Sequence, residues 1–396
     1  MAANPMTQDF PIAIAGGGIG GLAAALALAR RGMASHVFER RSAVCEDGAG
    51  IQIGPNGTKI LNALGVAARL RPAIAEPEAI SVRDGATGRE LTRLPLGHWI
   101  AQRHGAPYWT AHRHDLHAAL LEAATAEPRI TLANGCDITG YTNQDDRIIA
   151  QRANGADVTA SALISADGLW SRLRTLQNSG IAPIASGKSA YRSVVPADAM
   201  PPSLSGNDIH IWLSPGAHVV HYPVRAGREI AVVVIADGPA HFDGWASAVP
   251  AEAVAAQVRS LAPALRELLG HGQLWRAWAL QSLPQLQNWT DGRMTLLGDA
   301  AHPVMPFLAQ GAVLALEDAV VLAQHLSCDD TSVGEQLDAF ARARRTRAAR
   351  VASASIRNGR IYHLSGPMAL ARNAVLRTAP PQRLMANYDW LYGWHV

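Results

Sequence analysis

Ile12-Ala13-Ile14-Ala15-Gly16-Gly17-Gly18-Ile19-Gly20-Gly21 sets a short apolar strand directly before a G-x-G-x-x-G turn, and Leu22 to Arg30 reads on as helix. That order is a cradle for a dinucleotide pyrophosphate. Gly16 permits the tight turn, Gly18 lets backbone approach the phosphates, and Gly21 lets the helix pack close to the strand, so the helix N-terminus faces the anion. About 20 residues on, Val37-Phe38-Glu39 ends a second strand in a carboxylate, as the fingerprint requires. Glu39 is placed to accept from both ribose hydroxyls of an adenosine and would repel a 2′-phosphate there. A G-x-G-x-x-G alone says little. Strand, glycines, helix, second strand and terminal acid in register favour a dinucleotide site over a ligand-free turn.

Working outward, residues 11–40 form one β-α-β unit, and Gly48 to Gly57 reads as a glycine-rich loop before a helical stretch from Thr58 to Arg71. His114 to Ala126 shows helical spacing, and Ala162 to Ala166 is a short buried strand. Between Gly187 and Asp237 the pattern changes. Ile209, Ile211, Val219, Val220, Ile230, Val232 and Val234 fall in short runs divided by Pro215-Gly216 and Ala226-Gly227, which predicts antiparallel sheet with hairpin turns. Arg293 to Leu297 restores a buried strand and Gly311 to Leu326 a long apolar helix. The sheet is therefore expected as an insertion within a nucleotide-binding domain.

The chain has 396 residues, enough for two packed units, with 48% hydrophobic and 17% charged residues, a globular composition. A net charge of +3 gives no argument for nucleic-acid binding. Cys45, Cys136 and Cys328 are far apart and form no C-x-x-C, so neither disulfides nor a thiolate metal site is expected and a reducing cytoplasm fits. The apolar run Leu22 to Ala29 is stopped by Arg30-Arg31, too short to span a bilayer. The expectation is a cytoplasmic chain without signal peptide or membrane partner.

Two further motifs follow. Asp167-Gly168-Leu169-Trp170-Ser171-Arg172-Leu173-Arg174 is a D-G-x-x-S-x-x-R pattern after a strand. In Met294-Thr295-Leu296-Leu297-Gly298-Asp299-Ala300-Ala301-His302-Pro303 a strand ends in Gly-Asp, and Gly311-Ala312 then opens a helix. Asp299 is placed to accept from sugar-alcohol hydroxyls, and the helix N-terminus to stabilise negative charge on a reduced ring.

These three motifs, spread over nearly the whole chain, resemble the single-component FAD-dependent aromatic hydroxylases, in particular the salicylate, 3-hydroxybenzoate and 6-hydroxynicotinate hydroxylase branches. Supporting stretches are Gly48 to Asn56, Arg103 to Tyr108, Arg113 to His117, Pro223 to Arg225, Ala309 to Gly311 and Tyr388 to Gly393. The resemblance implies an α/β fold: a Rossmann-like FAD-binding domain (1–75, 100–185 and 285–350), an inserted, mostly antiparallel substrate-binding sheet (76–99 and 186–284) and a C-terminal helical segment (351–396). It implies non-covalent FAD held by Gly16, Gly18, Gly21, Glu39, Arg40, Arg113, Asp299, Gly311 and Ala312. Asp167 and Arg174 would serve both the pyrophosphate region and the docking of NADH or NADPH. No second G-x-G-x-x-G occurs, in keeping with a family that has no second dinucleotide domain.

By the same resemblance the reaction is hydroxylation of a small aromatic substrate with O₂ through a flavin C4a-hydroperoxide, with water excluded. A base that deprotonates a substrate phenol raises electron density at the attacked carbon, and histidine suits that role. His218-Val219-Val220-His221-Tyr222 lies on the inserted sheet, where alternation puts His218 and Tyr222 on one face and His221 on the other. His218 is the expected base and Tyr222 its orienting partner. Arg192 and Arg225 are candidates for a substrate carboxylate, but exposed sheet arginines are the commoner outcome. Pro306-Phe307-Leu308 is apolar where relatives often carry a glutamine or histidine, which favours a bulkier or less polar aromatic over a dihydroxylated or hydroxy-carboxylated one.

The H-x-H-x-x-H spacing of His112, His114 and His117 is discounted as a metal site, since the resemblance makes Arg113 a flavin contact. Arg342, Arg344, Arg345, Arg347 and Arg350 read as a solvated helix face. Trp245, Trp275, Trp278 and Trp289 read as core or lid packing. Alternative functions are an epoxidase or drug-inactivating monooxygenase on a bulkier substrate, or a flavin reductase without productive oxygenation. The cofactor NADH or NADPH, the regiochemistry and a homodimer are left open.

Overall fold

The computed structural model describes residues 10–42, 50–239, 242, 247–258, 260–327 and 331–395. Cys45, Cys328, Trp245, Gly48 and Ala49 lie outside the described residues.

Short apolar strands form the heart of a six-stranded sheet, in the order Thr290–Asp291, Met294–Leu296, Leu163–Ser165, Ile12–Ala15, Ser35–Glu39, Ile130–Asn134. All pairings are parallel except that of the short edge strand Thr290–Asp291. Continuous Ile, Leu and Ala runs suit strands covered on both faces. Ile12–Ala15 is completely enclosed, and the alanine-rich helix Ile19–Arg30 packs beside it, buried on nearly every side. Small side chains let that helix lie close to Gly311–Leu326, itself an apolar helix.

The second sheet has eight strands, in the order Ser247–Ala248, Gln273–Ser282, Ile184–Pro196, Glu229–Asp237, Ala217–Val224, Ile209–Ser214, Ala79–Asp84, Glu90–Pro95. It is antiparallel throughout except where Ile209–Ser214 runs parallel to Ala79–Asp84. The chain is thus α/β, with a parallel nucleotide-binding sheet and a mostly antiparallel second sheet. Thr110 Oγ1 donates to the Pro223 carbonyl at 2.6 Å, tying the ribbon formed by Gly50–Ile53 and Trp109–His112 to the large sheet.

Some local expectations need correction. Gly50–Ile53 is strand rather than loop, because its partner Trp109–His112 is remote in sequence. The following helix begins at Pro55, whose fixed φ suits a first turn, and stops at Ala63, before Gly65 adopts a φ of +74°. The helix expected from His114 starts at Arg113, with the His112 ring accepting the His114 N–H. Residue 350, an expected boundary, lies inside the unbroken helix Val333–Tyr362. No helix among the described residues is long and apolar enough to cross a membrane.

Candidate functional site

The turn after Ile12–Ala15 explains its own sequence. Gly16 sits at a φ of +108°, and a Cβ there would drive into the Ala166 carbonyl, while one on Gly21 would collide with the carbonyl oxygen of Gly16. Gly18 faces open space, with no atom within 4 Å of where a Cβ would stand. The Gly17 N–H donates to Glu39 Oε2 at 2.9 Å and the Arg41 N–H to Oε1 at 3.0 Å, which fixes the carboxylate at the turn.

A cavity of about 470 Å³ runs past Glu39, Arg40, Asp167 and the glycine turn. Asp167 accepts from Ser165 Oγ and from the Arg172 N–H, the latter at 3.1 Å, so it shapes its own turn at the cavity edge. A second cavity of about 330 Å³ adjoins it at Gly18, Ala166 and Gly168 and is lined by Arg113, Asp299, Gly311, Ala312, His218 and Tyr222. Together they form one elongated cleft from the Glu39 carboxylate to the large sheet. Its length and its order of groups suit a dinucleotide.

Asp299 has no hydrogen-bond partner among the described residues and opens onto the cleft. Enclosure by protein raises its carboxyl pKa, against the pull of Arg113 and His302. Its turn is held from behind. Asp318 accepts the Gly298 N–H at 3.0 Å, pairs with His302, and accepts from Arg344 at 2.7 Å. Arg344, 1% exposed, also donates to Glu317 at 2.8 Å, and Arg347 reaches Glu317 at 2.6 Å. Of the run from Arg342 to Arg350, Arg342 and Arg350 are exposed as expected of a solvated face, but Arg344 and Arg347 neutralise the buried Glu317-Asp318 pair, because a buried carboxylate needs a partner.

Arg174 departs from expectation. It is 1% exposed and lines neither cavity; it donates to the carbonyls of Ala300 at 3.1 Å and Leu169 at 2.6 Å. It ties the second and third motifs together from beneath. His117, discounted as a metal ligand, lies with Nε2 2.8 Å from the Gly17 carbonyl. Arg113 and His117 share a helix face at i, i+4, a signal that points both toward the glycine turn.

The far wall belongs to the large sheet. His218, Val220 and Tyr222 face the cleft and His221 faces away, stacked on His210 with ring centroids 4.5 Å apart. Burial, only partly offset by Arg192 and Gln52, pushes the Tyr222 phenol up to about 12, so it remains a neutral donor. Burial, then His363 and Lys188, hold the His218 imidazole well below its usual value. Arg192, expected on an exposed surface, points into the cleft over the Trp278 ring at 5.3 Å. No carboxylate among the described residues pairs with it, and its Nε has no partner. Arg225, by contrast, is spent on Glu229 at 2.8 Å and Asp115 at 3.7 Å. Trp275 and Trp289 are buried packing residues.

Beyond His218, Val220 and Pro306 a third, mostly apolar cavity of about 650 Å³ opens beneath the C-terminal helices, with Phe307 and Leu308 in its wall. Among the described residues no group of three or more metal-ligating side chains is assembled.

A family model described as FAD binding domain matches residues 9–355. The 3-hydroxybenzoate 6-hydroxylase of Polaromonas naphthalenivorans is 36% identical over 396 residues, 100% of this chain and 98% of that one. The 6-hydroxynicotinate 3-monooxygenase of Bordetella bronchiseptica is 32% identical over 97% of this chain and 95% of that one. A solved salicylate hydroxylase substrate complex superposes with a TM-score of 0.82 at 24% identity, over 98% of this chain and 96% of that one, a likeness of fold. Klebsiella pneumoniae HpxO with FAD and uric acid does so with a TM-score of 0.85 at 23% identity, over 97% of each chain.

Proposed function

Since the chain belongs to the FAD-binding family of flavin-dependent aromatic hydroxylases, we propose that its own substrate is a phenolic ring carrying one carboxylate. The single observation that carries this reading is Arg192, a guanidinium turned into the cleft without an acidic partner among the described residues, on the same wall as His218 and Tyr222. A buried cation is costly unless paired, and a bound carboxylate is the partner it lacks. The named relatives act on 3-hydroxybenzoate and 6-hydroxynicotinate, both hydroxylated rings with a carboxylate.

The cleft fits FAD on its own evidence: a turn in which Gly16 and Gly21 have no room for a Cβ and Gly18 faces open space, a carboxylate pre-oriented by two backbone N–H groups, and at the other end Asp299, without a partner among the described residues. Glu39 and Arg40 would hold the adenosine end, Gly16, Gly18, Gly21 and Asp167 the pyrophosphate region, and Arg113, Asp299, Gly311 and Ala312 the end nearest the sheet. FAD, once bound and reduced by NADH or NADPH, supplies the activation of O₂ for insertion of one oxygen atom into the ring.

The protein's own residues do the rest. Arg192 anchors the carboxylate and so sets which ring carbon faces the cofactor. His218 and Tyr222 meet the phenol oxygen, Tyr222 as a donor and His218 through the ring nitrogen not bonded to His363. Val220, Pro306 and Ala309 exclude water from the space between them. We also read residues 76–99 and 186–284 as the substrate-binding unit, with the cytoplasm as its place of work.

A bulkier apolar aromatic is the second reading, favoured by the 650 Å³ cavity that continues past His218. One panel tests both: hydroxybenzoates, hydroxynicotinates, unsubstituted phenols and naphthols, each scored for acceleration of NAD(P)H oxidation and for label from ¹⁸O₂ in the product. Label in carboxylated phenols alone supports the first reading. Label only in naphthols would replace it with the second, and H₂O₂ without label in any product would leave a flavin reductase.

A further inference from the structure

His218 is the inner end of a hydrogen-bonded chain that leaves the cleft. Its Nδ1 lies 2.8 Å from Nε2 of His363, the residue that caps the helix Val333–Tyr362. Nδ1 of His363 lies 3.1 Å from Nζ of Lys188. Lys188 in turn is ion-paired with Asp237, whose carboxylate is largely exposed. Three elements distant in sequence thus connect the cleft to solvent.

The ion pair decides the direction of every bond in that chain. An ammonium is a donor only, so Lys188 donates to Nδ1 of His363, which must offer a lone pair there. A neutral His363 then carries its proton on Nε2 and donates to Nδ1 of His218. A neutral His218 must therefore carry its own proton on Nε2, the nitrogen not engaged by His363. Both rings are neutral near pH 7. Burial lowers His363 to about 4, with Lys188 adding to the effect against Asp237, and burial lowers His218 as well.

We propose that Lys188, acting through His363, sets the tautomer of His218 and so decides whether the substrate oxygen meets a donor or an acceptor. With Lys188 protonated, His218 donates Nε2–H to a phenolate. With Lys188 as the free amine the order reverses, and His218 offers a lone pair at Nε2. A phenol proton then moves to Nε2 of His218, the Nδ1 proton of His218 to Nε2 of His363, and the Nδ1 proton of His363 to Lys188. The chain ends in the donor arrangement with a phenolate bound, and water at the Lys188-Asp237 surface takes up one proton per cycle. Each bond broken is matched by one formed, and no oxidant is involved.

Other groups around the chain are accounted for. Arg372 faces His363, but its guanidinium donates to the carbonyls of Ile361 and Tyr362 at 3.0 and 2.9 Å. Tyr362 and Phe307 meet His218 as rings, with centroids 5.2 and 5.6 Å away. Lys188 and His363 are positioning residues, since both act through His218. The inference rests on the reading of His218 as the residue that meets the substrate oxygen.

The test is nitrogen NMR of the FAD-loaded enzyme labelled with ¹⁵N-histidine, with His218→Asn and His363→Gln used to assign the two rings. The expected result at neutral pH is Nε2–H for both, with Lys188→Met shifting both toward Nδ1–H and Lys188→Arg restoring them. If Lys188→Met does not fold, alkaline titration of the wild type reads the same coupling, the two rings switching together. Nδ1–H on His218 in the wild type, or two rings that change independently, would overturn the proposal. A second readout is the visible absorbance of bound 3-hydroxy-4-nitrobenzoate as its phenol ionises. Lys188→Met should raise the midpoint by about one pH unit, a tenfold loss of preference for the phenolate. A midpoint and turnover untouched by His218→Asn would sink the parent reading. Effects of His218→Asn alone, with none from Lys188→Met or His363→Phe, would sink only the chain.

Discussion

Asp318 accepts the backbone N–H of Gly298 at 3.0 Å, so a fully buried helix carboxylate fixes the turn that presents Asp299 to the cleft. The same carboxylate holds Arg344 and His302. Site geometry and helix packing are therefore one structure.

Replacing Arg344 by Met should destabilise the fold by about 3 kcal/mol, since it takes one charged partner from each of two buried carboxylates and leaves Glu317 to Arg347 and Asp318 to His302. The exposed neighbour Arg342→Met should cost under about 0.5 kcal/mol. Denaturant unfolding of the two variants measures the difference, and equal midpoints would refute the buried network.

Acid stability follows from Asp318. Burial favours its neutral form, but His302 and Arg344 prevail and hold the carboxyl at about 2, below the ordinary 3.8. A depressed carboxyl contributes stability above its unfolded value and loses it as pH falls through the folded one. About 2 kcal/mol should therefore vanish between roughly pH 4 and pH 2. In Asp318→Asn that part of the pH-stability curve should flatten, which melting curves across the window will show.

Gly21→Ala should expel the cofactor, because a Cβ there meets the Gly16 carbonyl and the turn must shift. A loss of FAD affinity of at least about tenfold, roughly 1.4 kcal/mol, is expected. Flavin absorbance per polypeptide after gel filtration measures it. Full occupancy at wild-type affinity would contradict the placement of the pyrophosphate.

Arg192→Met separates substrates by charge. For a carboxylated phenol KM should rise by about 30-fold or more, the cost of losing one partner of an enclosed ion pair. For an uncharged phenol it should change by less than about threefold, within what loss of side-chain packing explains. Steady-state kinetics on the two substrates decide the matter, and equal effects would remove Arg192 from the role of anchor.

The nucleotide half of the site is legible in the sequence because its information is local. Gly16, Gly18, Gly21 and Glu39 lie within 24 positions of one another, and each answers to a backbone requirement of one β-α-β unit. Alternation along Ala217–Val224 likewise places His218 and Tyr222 on one face and His221 on the other without help from any tertiary contact. Gly50–Ile53 reads as loop for the opposite reason: four residues become strand only when Trp109–His112 arrives to pair with them.

What the chain's order of residues determined by itself was the fold class, the phosphate turn and the facing of short segments, since these follow from spacing and backbone sterics. Tertiary structure alone decided the use of its charges. Arg344 became the counter-ion of a buried pair, Arg174 a brace between loops, Arg192 a cation facing the cleft and Lys188 the outer end of a histidine chain. A charged side chain takes its role from whatever remote partners exclude its water. That exclusion exists only once distant segments have met.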